Sequence, residues 1–195
     1  MAGFILVKII MIKLKLVYRY LVTIFFWKFL FSEIGSKCVI YKPILLVPMN
    51  RIRLGNRVVI RENSRIEIVP RPDKNWSSEI IIGDHVNIEQ GSHIISQGQL
   101  IISKNVSIGP YVCILNAYHP YIGIDELQKY GDQLPDVKTS IEIGEGTLIG
   151  AHSVILHNVK IGKKCIIGAC TLVNCDIPDY SVAIGVPAKI HSRIS

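Results

Sequence analysis

No Cys-x-x-Cys pair occurs in these 195 residues, and the cysteines are odd in number: Cys38, Cys113, Cys165, Cys170 and Cys175. That excludes a paired disulfide framework and argues against a cysteine zinc site. It fits reduced thiols in a cytoplasmic protein. Cys165, Cys170 and Cys175 fall five apart, out of phase with the six-residue repeat described below. They are expected as small core or surface residues.

An apolar run long enough to cross a bilayer is also missing. The opening segment MAGFILVKIIMIKLKLVYRYLVTIFFWKFLF is broken by Lys8, Lys13, Lys15, Arg19 and Lys28, whereas a spanning helix needs roughly 18 or more apolar residues. No small-residue cleavage site follows a compact apolar core, so a signal peptide is not indicated. Acidic residues are scarce in the same region. Residues 1–65 hold 12 Lys and Arg against 2 Asp and Glu, a net +10, while residues 66–195 hold 10 against 13, a net −3, and the two sum to +7.

A basic third on a mildly acidic body calls for an anionic partner at that third only. Its apolar content favours lipid, and no nucleic acid is expected. At about 100° per residue, Lys8, Lys15 and Arg19 share one helix face, with Lys13 and Lys28 off it. Residues 1–31 therefore read as an amphipathic helix in peripheral contact with the inner face of the cytoplasmic membrane. Packing on the protein body or a neighbouring subunit is the alternative.

What the chain does have is a period. Leu54, Ile60 and Ile66 are six residues apart; so are Ile82, Ile88 and Ile94, then Ile102, Ile108 and Ile114, then Ile143, Ile149, Ile155, Ile161, Ile167 and Val173. Glycine follows many of them, as at Gly55, Gly83, Gly109, Gly144, Gly150, Gly162 and Gly168. Period six fits neither a helix nor a strand alone; it fits a short strand plus a corner. Three such units make a triangular coil. Stacked coils bury the aliphatics inside a prism, at roughly 1.5–3 kcal/mol per side chain. Glycine suits the crowded corners, and Asn56, Asn87, Asn105 and Asn158 are turn-tolerant. The expected division is an extension over 1–50 and an all-β solenoid of about five coils over 51–195.

The period breaks in three places. Ile66 to Ile82 spans sixteen residues, with a Pro- and Ser-rich loop; Ile94 to Ile102 spans eight; Ile114 to Ile143 spans twenty-nine. Long loops in a compact repeat are usually functional or disordered. The last one, taken as 115–141, carries His119 between Tyr118 and Pro120.

This sequence resembles the hexapeptide-repeat acyltransferases, and over 82–191 their sugar O-acetyltransferases, which act on galactosides, maltose and nodulation or capsular sugars. The resemblance rests on the eight-residue gap before IISKNVSIGPYV, the His119-Pro120 pair, the run ELQKYGD, and the ending DIPDYSVAIGVPAKI. It implies a left-handed parallel β-helix, a homotrimer with sites between subunits, and acetyl-CoA as donor. The implied acceptor is a hydroxyl of a sugar, and the charge asymmetry of the basic helix extends that expectation to a lipid-linked glycan, as in capsule, O-antigen or other surface polysaccharide. His119 matches the general base that takes the hydroxyl proton. Glu89 and Gln97 match acceptor-contacting positions, where relatives have asparagine and aspartate, and Tyr118 lies beside the base. Gly150, Ala151, Gly168 and Ala169 match the small residues along the CoA groove, and Lys189 a cation near its phosphates. Cys175 and Leu148 stand where lysine and tryptophan are frequent. Asp125, Glu126, Asp132 and Glu142 could orient the imidazole, and His93 could face the pocket.

Three other readings remain. His119 could simply stabilise a turn. His119, His152 and His157 could hold a metal as in a γ-type carbonic anhydrase, with the five-residue step of AHSVILH; the acetyltransferase reading expects none. The prism could also be a catalytically silent scaffold.

Overall fold

Each aliphatic of the period ends a short strand, and each strand is followed by a corner. The computed structural model describes residues 2–194 apart from 72–76, 121, 124, 126, 128 and 136, and omits the side chains of 2–6, 8 and 9. The chain winds over three parallel sheets in turn. The first face holds Glu33–Ile34, Ile52–Leu54, Glu79–Ile82, Gln99–Ile102, Ser140–Ile143 and Val159–Ile161. The third face holds Leu45–Val47, Arg65–Ile68, His93–Ser96, Cys113–Asn116, Val154–Leu156 and Leu172–Val173. The second face has six matching strands, from Val39–Ile40 to Ile166–Ile167, and ends with Ser181–Ile184 and the antiparallel Lys189–Arg193. These strands make a three-sided solenoid of parallel sheets.

The repeat aliphatics point inward and stack in register. Ile94, Ile114 and Ile155 pair across consecutive coils, and none is exposed. On the second and third faces, from Ile60 onward, a small buried residue sits two positions before each repeat aliphatic. Its hydroxyl often caps a corner carbonyl: Ser92 donates to Glu89 O at 2.8 Å, Thr147 to Gly162 O at 2.9 Å and Ser153 to Gly168 O at 2.9 Å. Buried carbonyls thereby gain partners. Cys38 and Cys165 fill this small position and are buried, while Cys170 and Cys175 are exposed.

The corners work differently from expectation. The left-handed residues are mostly not glycine: Asn63, Asn105, His152 and Asn158 have φ of 57–60°. Asn56 precedes its corner residue, Arg57, and Asn87 lies in a strand. Gly144 is needed for space instead, since a Cβ there would stand 2.4 Å from the carbonyl carbon of Gly162 on the next coil.

The solenoid is longer than the period suggested. Its first coil is Glu33–Ile34, Val39–Ile40 and Leu45–Val47, so the described residues form six coils, the first of them upstream of residue 50. Ile34-Gly35, Ile40 and Leu46 do carry the six-residue step. They were hidden by the eight-residue step to Leu54, which matches the gap after Ile94.

The N-terminal helix, Ala2–Phe25, ends against that first coil. The Thr23 hydroxyl donates to Arg19 O at 2.9 Å and accepts from Ile40 N at 3.0 Å. Half-buried Trp27 packs on the core, and Phe31 is buried in it. Residues 10–18 are exposed throughout, aliphatics and lysines alike. Lys15 reaches Glu62 at 3.6 Å. Among the described residues, no helix is long and apolar enough to cross a membrane.

Candidate active site

The chain leaves the prism after Asn116, at the edge between the third and first faces, and rejoins it at Thr139. Both ends of this loop are tied. The Thr139 hydroxyl donates to Asn116 O at 2.8 Å, and the Asn116 amide donates to Ser96 Oγ at 3.0 Å and Gln99 O at 2.9 Å. Farther out, buried Arg71 donates to Pro135 O. Gln133 grips the loop with its side-chain amide: Oε1 accepts from Asp125 N and Nε2 donates to Asp125 O, both at 2.9 Å.

So held, the loop roofs a cleft of about 690 Å³ on the outward face of the third sheet, lined by Arg65, Glu67, Ile95, Leu115, His119 and Asp132 among others. His119 is exposed to it. Its Nδ1 lies 3.0 Å from the main-chain carbonyl of Gln133. A carbonyl oxygen only accepts, so Nδ1 carries a proton, and in the neutral ring the lone pair then sits on Nε2. An imidazole in that tautomer can take a proton from a ligand hydroxyl.

Among the described residues, the group that meets Nδ1 is a main-chain oxygen and not one of the candidate carboxylates. Glu126 lies outside the described residues. Glu142 faces outward on the first sheet, where its 3.0 Å contact raises the pKa of Lys160. Asp125 caps Leu127 N at 2.9 Å. Of the described candidates, Asp132 is the one that lines the His119 cleft.

Residues 140–175 match the bacterial transferase hexapeptide (six repeats) family. The chain thus carries the repeat of that family over these residues. It is 33% identical over 136 residues to the galactoside O-acetyltransferase of Escherichia coli, covering 70% of this chain and 64% of that one. It is 34% identical over 102 residues to the galactoside O-acetyltransferase of Lactococcus lactis, covering 52% and 47%. The chain spans about half to two-thirds of the length of these curated relatives. In fold it is similar to AntD, an N-acyltransferase from Bacillus cereus solved with dTDP and 3-hydroxybutyryl-CoA, with a TM-score of 0.71, 19% identity, and 87% and 86% of the two chains covered.

The other expected site residues do not gather at His119 within one chain. Glu89 sits on the edge between the second and third faces and pairs with Arg61 at 3.6 Å. Gly150-Ala151 and Gly168-Ala169 occupy that same edge on consecutive coils, where a Cβ on Gly150 would meet Ala169 N at 2.5 Å. Lys189 is exposed on the terminal antiparallel strand. Gln97 is fully buried, and its side-chain nitrogen and oxygen have no hydrogen-bond partner among the described residues. Tyr118 stacks on His157, with centroids 4.2 Å apart and planes 15° apart.

The histidines of the metal reading are also dispersed. His152 stacks on Tyr111 at the second-to-third edge, and His157 lies at the third-to-first edge. Among the described residues no group of three His, Cys, Asp or Glu could hold a metal ion. Burial pulls the His157 pKa below its ordinary value.

Sequence reasoning missed Gln133, Arg65 and Glu67. The last two do carry a signal: RIEI alternates, so Arg65 and Glu67 point outward on the face that leads to His119.

Proposed function

We propose that this protein transfers an acetyl group from acetyl-CoA to a hydroxyl of a sugar or lipid-linked glycan, with His119 as general base. The observation that supports this is that His119 lines a loop-bounded cleft with its Nδ1 against Gln133 O, an arrangement in which Nε2 of the neutral ring is the nitrogen left to accept a proton. A sugar hydroxyl ionises far above neutral pH, so it must lose its proton as its oxygen attacks the thioester carbonyl. The Nε2 atom takes that proton. The oxygen–carbon bond forms, the carbon–sulfur bond breaks, and the imidazolium returns the proton to the departing thiolate.

The same reading takes the solenoid as left-handed and the working unit as a homotrimer. His119 and the small residues Gly150, Ala151, Gly168 and Ala169 lie on different prism edges. A neighbouring prism would bring one such edge against the other, so that pantetheine lies along Gly150, Ala151, Gly168 and Ala169 with Lys189 near the CoA phosphates. Glu89 would then approach the acceptor from the adjacent subunit, with Tyr118 at its side. Gln97, sealed from the cleft, would act by supporting the loop base beside Asn116.

The charge and exposure of the basic helix support an acceptor at a membrane surface, in the assembly of capsule, O-antigen or a related surface polysaccharide at the cytoplasmic face. The test is transfer of radiolabelled acetyl from acetyl-CoA to a panel of glycosides, paired with mass spectrometry of glycans from cells with and without the gene. Acetyl ester on a glycan is the expected product. No transfer together with no CoA binding at millimolar ligand would leave a scaffold, and stoichiometric zinc or iron in the purified protein would restore the metal reading.

A further inference from the structure

The outward face of the third sheet is a set of registered rows. One row runs Val47, Glu67, Ile95, Leu115 and Leu156 on consecutive coils. Four of its members are aliphatic, and the one charge is Glu67. Its side chain is only 24% exposed and, among the described residues, pairs with Arg65 alone, through Oε2. Arg65 has a buried Nε with no partner among the described residues. A half-buried ion pair among aliphatics is weak as a stabilising device, because desolvation offsets the attraction. Both residues line the same cleft as His119.

We propose that Glu67 recognises the acceptor by accepting a hydrogen bond from a hydroxyl next to the one that is acetylated, and that Arg65 is its positioning residue. The proposal rests on the acetyl-transfer reading and names the acceptor class: a pyranose with neighbouring hydroxyls along one edge and an apolar C–H face. Arg65 occupies Oε2 and leaves Oε1 directed to a ligand, since an ionised carboxylate accepts at both oxygens. Ile95 and Leu115, the next two members of the row, give the ring face an apolar floor. Glu67, Asp132 and His119 give its hydroxyls a polar wall. Net charge favours a neutral sugar: Glu67 and Asp132 outweigh Arg65, so an acceptor carboxylate or phosphate would be repelled here.

The experiment uses the full chain, acetyl-CoA, and methyl glycosides of galactose, glucose, fucose and glucuronic acid as acceptors. Two variants are compared with the wild type, Glu67→Gln and Glu67→Leu. The leucine variant extends the aliphatic row, so its melting temperature is expected to equal or exceed that of the wild type. For both variants the acceptor KM should rise about tenfold or more, the scale of losing a hydrogen bond to a charged group, while the acetyl-CoA KM stays within about twofold. The uronide should be the poorest acceptor of the wild type. An unchanged acceptor KM in both variants overturns the assignment. So does a collapse in stability of Glu67→Leu with normal kinetics in Glu67→Gln, which would make the pair structural. If the wild type acetylates none of the glycosides, the failure lies with the sugar-transfer reading itself.

Discussion

The Nδ1 atom of His119 faces the main-chain carbonyl of Gln133 at 3.0 Å across a fourteen-residue stretch of loop. This contact calls for a proton on Nδ1, and under the proposed mechanism it makes loop conformation part of the chemistry.

Replacing His119 with Ala removes the proposed base. Turnover is expected to fall roughly 100-fold or more, in the range typical of general-base loss. CoA affinity should stay nearly unchanged by isothermal titration. Wild-type turnover in the variant would end the base assignment.

The Gln133→Ala variant keeps the carbonyl but loses the two-pronged grip on Asp125. A misplaced imidazole can cost roughly tenfold to hundredfold in kcat. The melting temperature should hardly move, because these groups contribute little to the core. Limited proteolysis should cut the 117–138 loop faster. Equal protease resistance and equal kcat would show that the clamp is incidental.

At Gly144 the coils approach too closely for a side chain. A Cβ would lie 2.4 Å from the Gly162 carbonyl carbon and 2.5 Å from Lys163 N, and backbone on the next coil has little room to shift. Gly144→Ala should destabilise by about 1–3 kcal/mol, as overpacking does, read as a lower urea midpoint. An unaltered midpoint would mean that the coils can slide apart.

His157 gives stability a pH dependence with a definite sign. Burial lowers its folded-state pKa below the ordinary 6.5, so the unfolded chain binds the proton more readily. Its contribution is complete above the unfolded value and is lost as pH falls from there through the lower folded value. Urea midpoints of the wild type should drop more steeply than those of His157→Gln as pH is lowered from about 7 to about 5. Parallel curves would show that the Tyr118 stack tolerates charge.

The helix differs along its length, exposed over residues 10–18 and packed on the solenoid near Thr23. Thr23, Trp27 and Phe31 belong to the end of the solenoid, so deletion of the whole opening segment would confound anchoring with folding. Removing residues 2–17 spares those contacts. The truncated protein should keep its melting temperature and lose co-sedimentation with phosphatidylglycerol-rich vesicles, since the exposed Ile10–Tyr18 stretch supplies both apolar surface and cations. Undiminished vesicle binding would move the lipid contact elsewhere or remove it.

The sequence by itself determined the prism. An aliphatic every sixth residue is a local rule, and Ile60, Ile88, Ile108, Ile149 and Ile167 obey it one coil at a time, each needing only the identical neighbour above and below. It also determined that the rhythm breaks at His119, because an insertion is visible wherever a period is strict. The first coil was legible too, in Ile34, Ile40 and Leu46, although an eight-residue step concealed it. Only the tertiary structure decided what surrounds the imidazole. Arg65 and Glu67 reach the cleft because coil stacking brings residues far apart in the chain onto one face, and a period says which way a side chain points but not what it meets. Gln133 was beyond reach for a simpler reason. Every residue carries a main-chain carbonyl, so no side-chain pattern marks the one that will orient His119; the fold of the loop selects it.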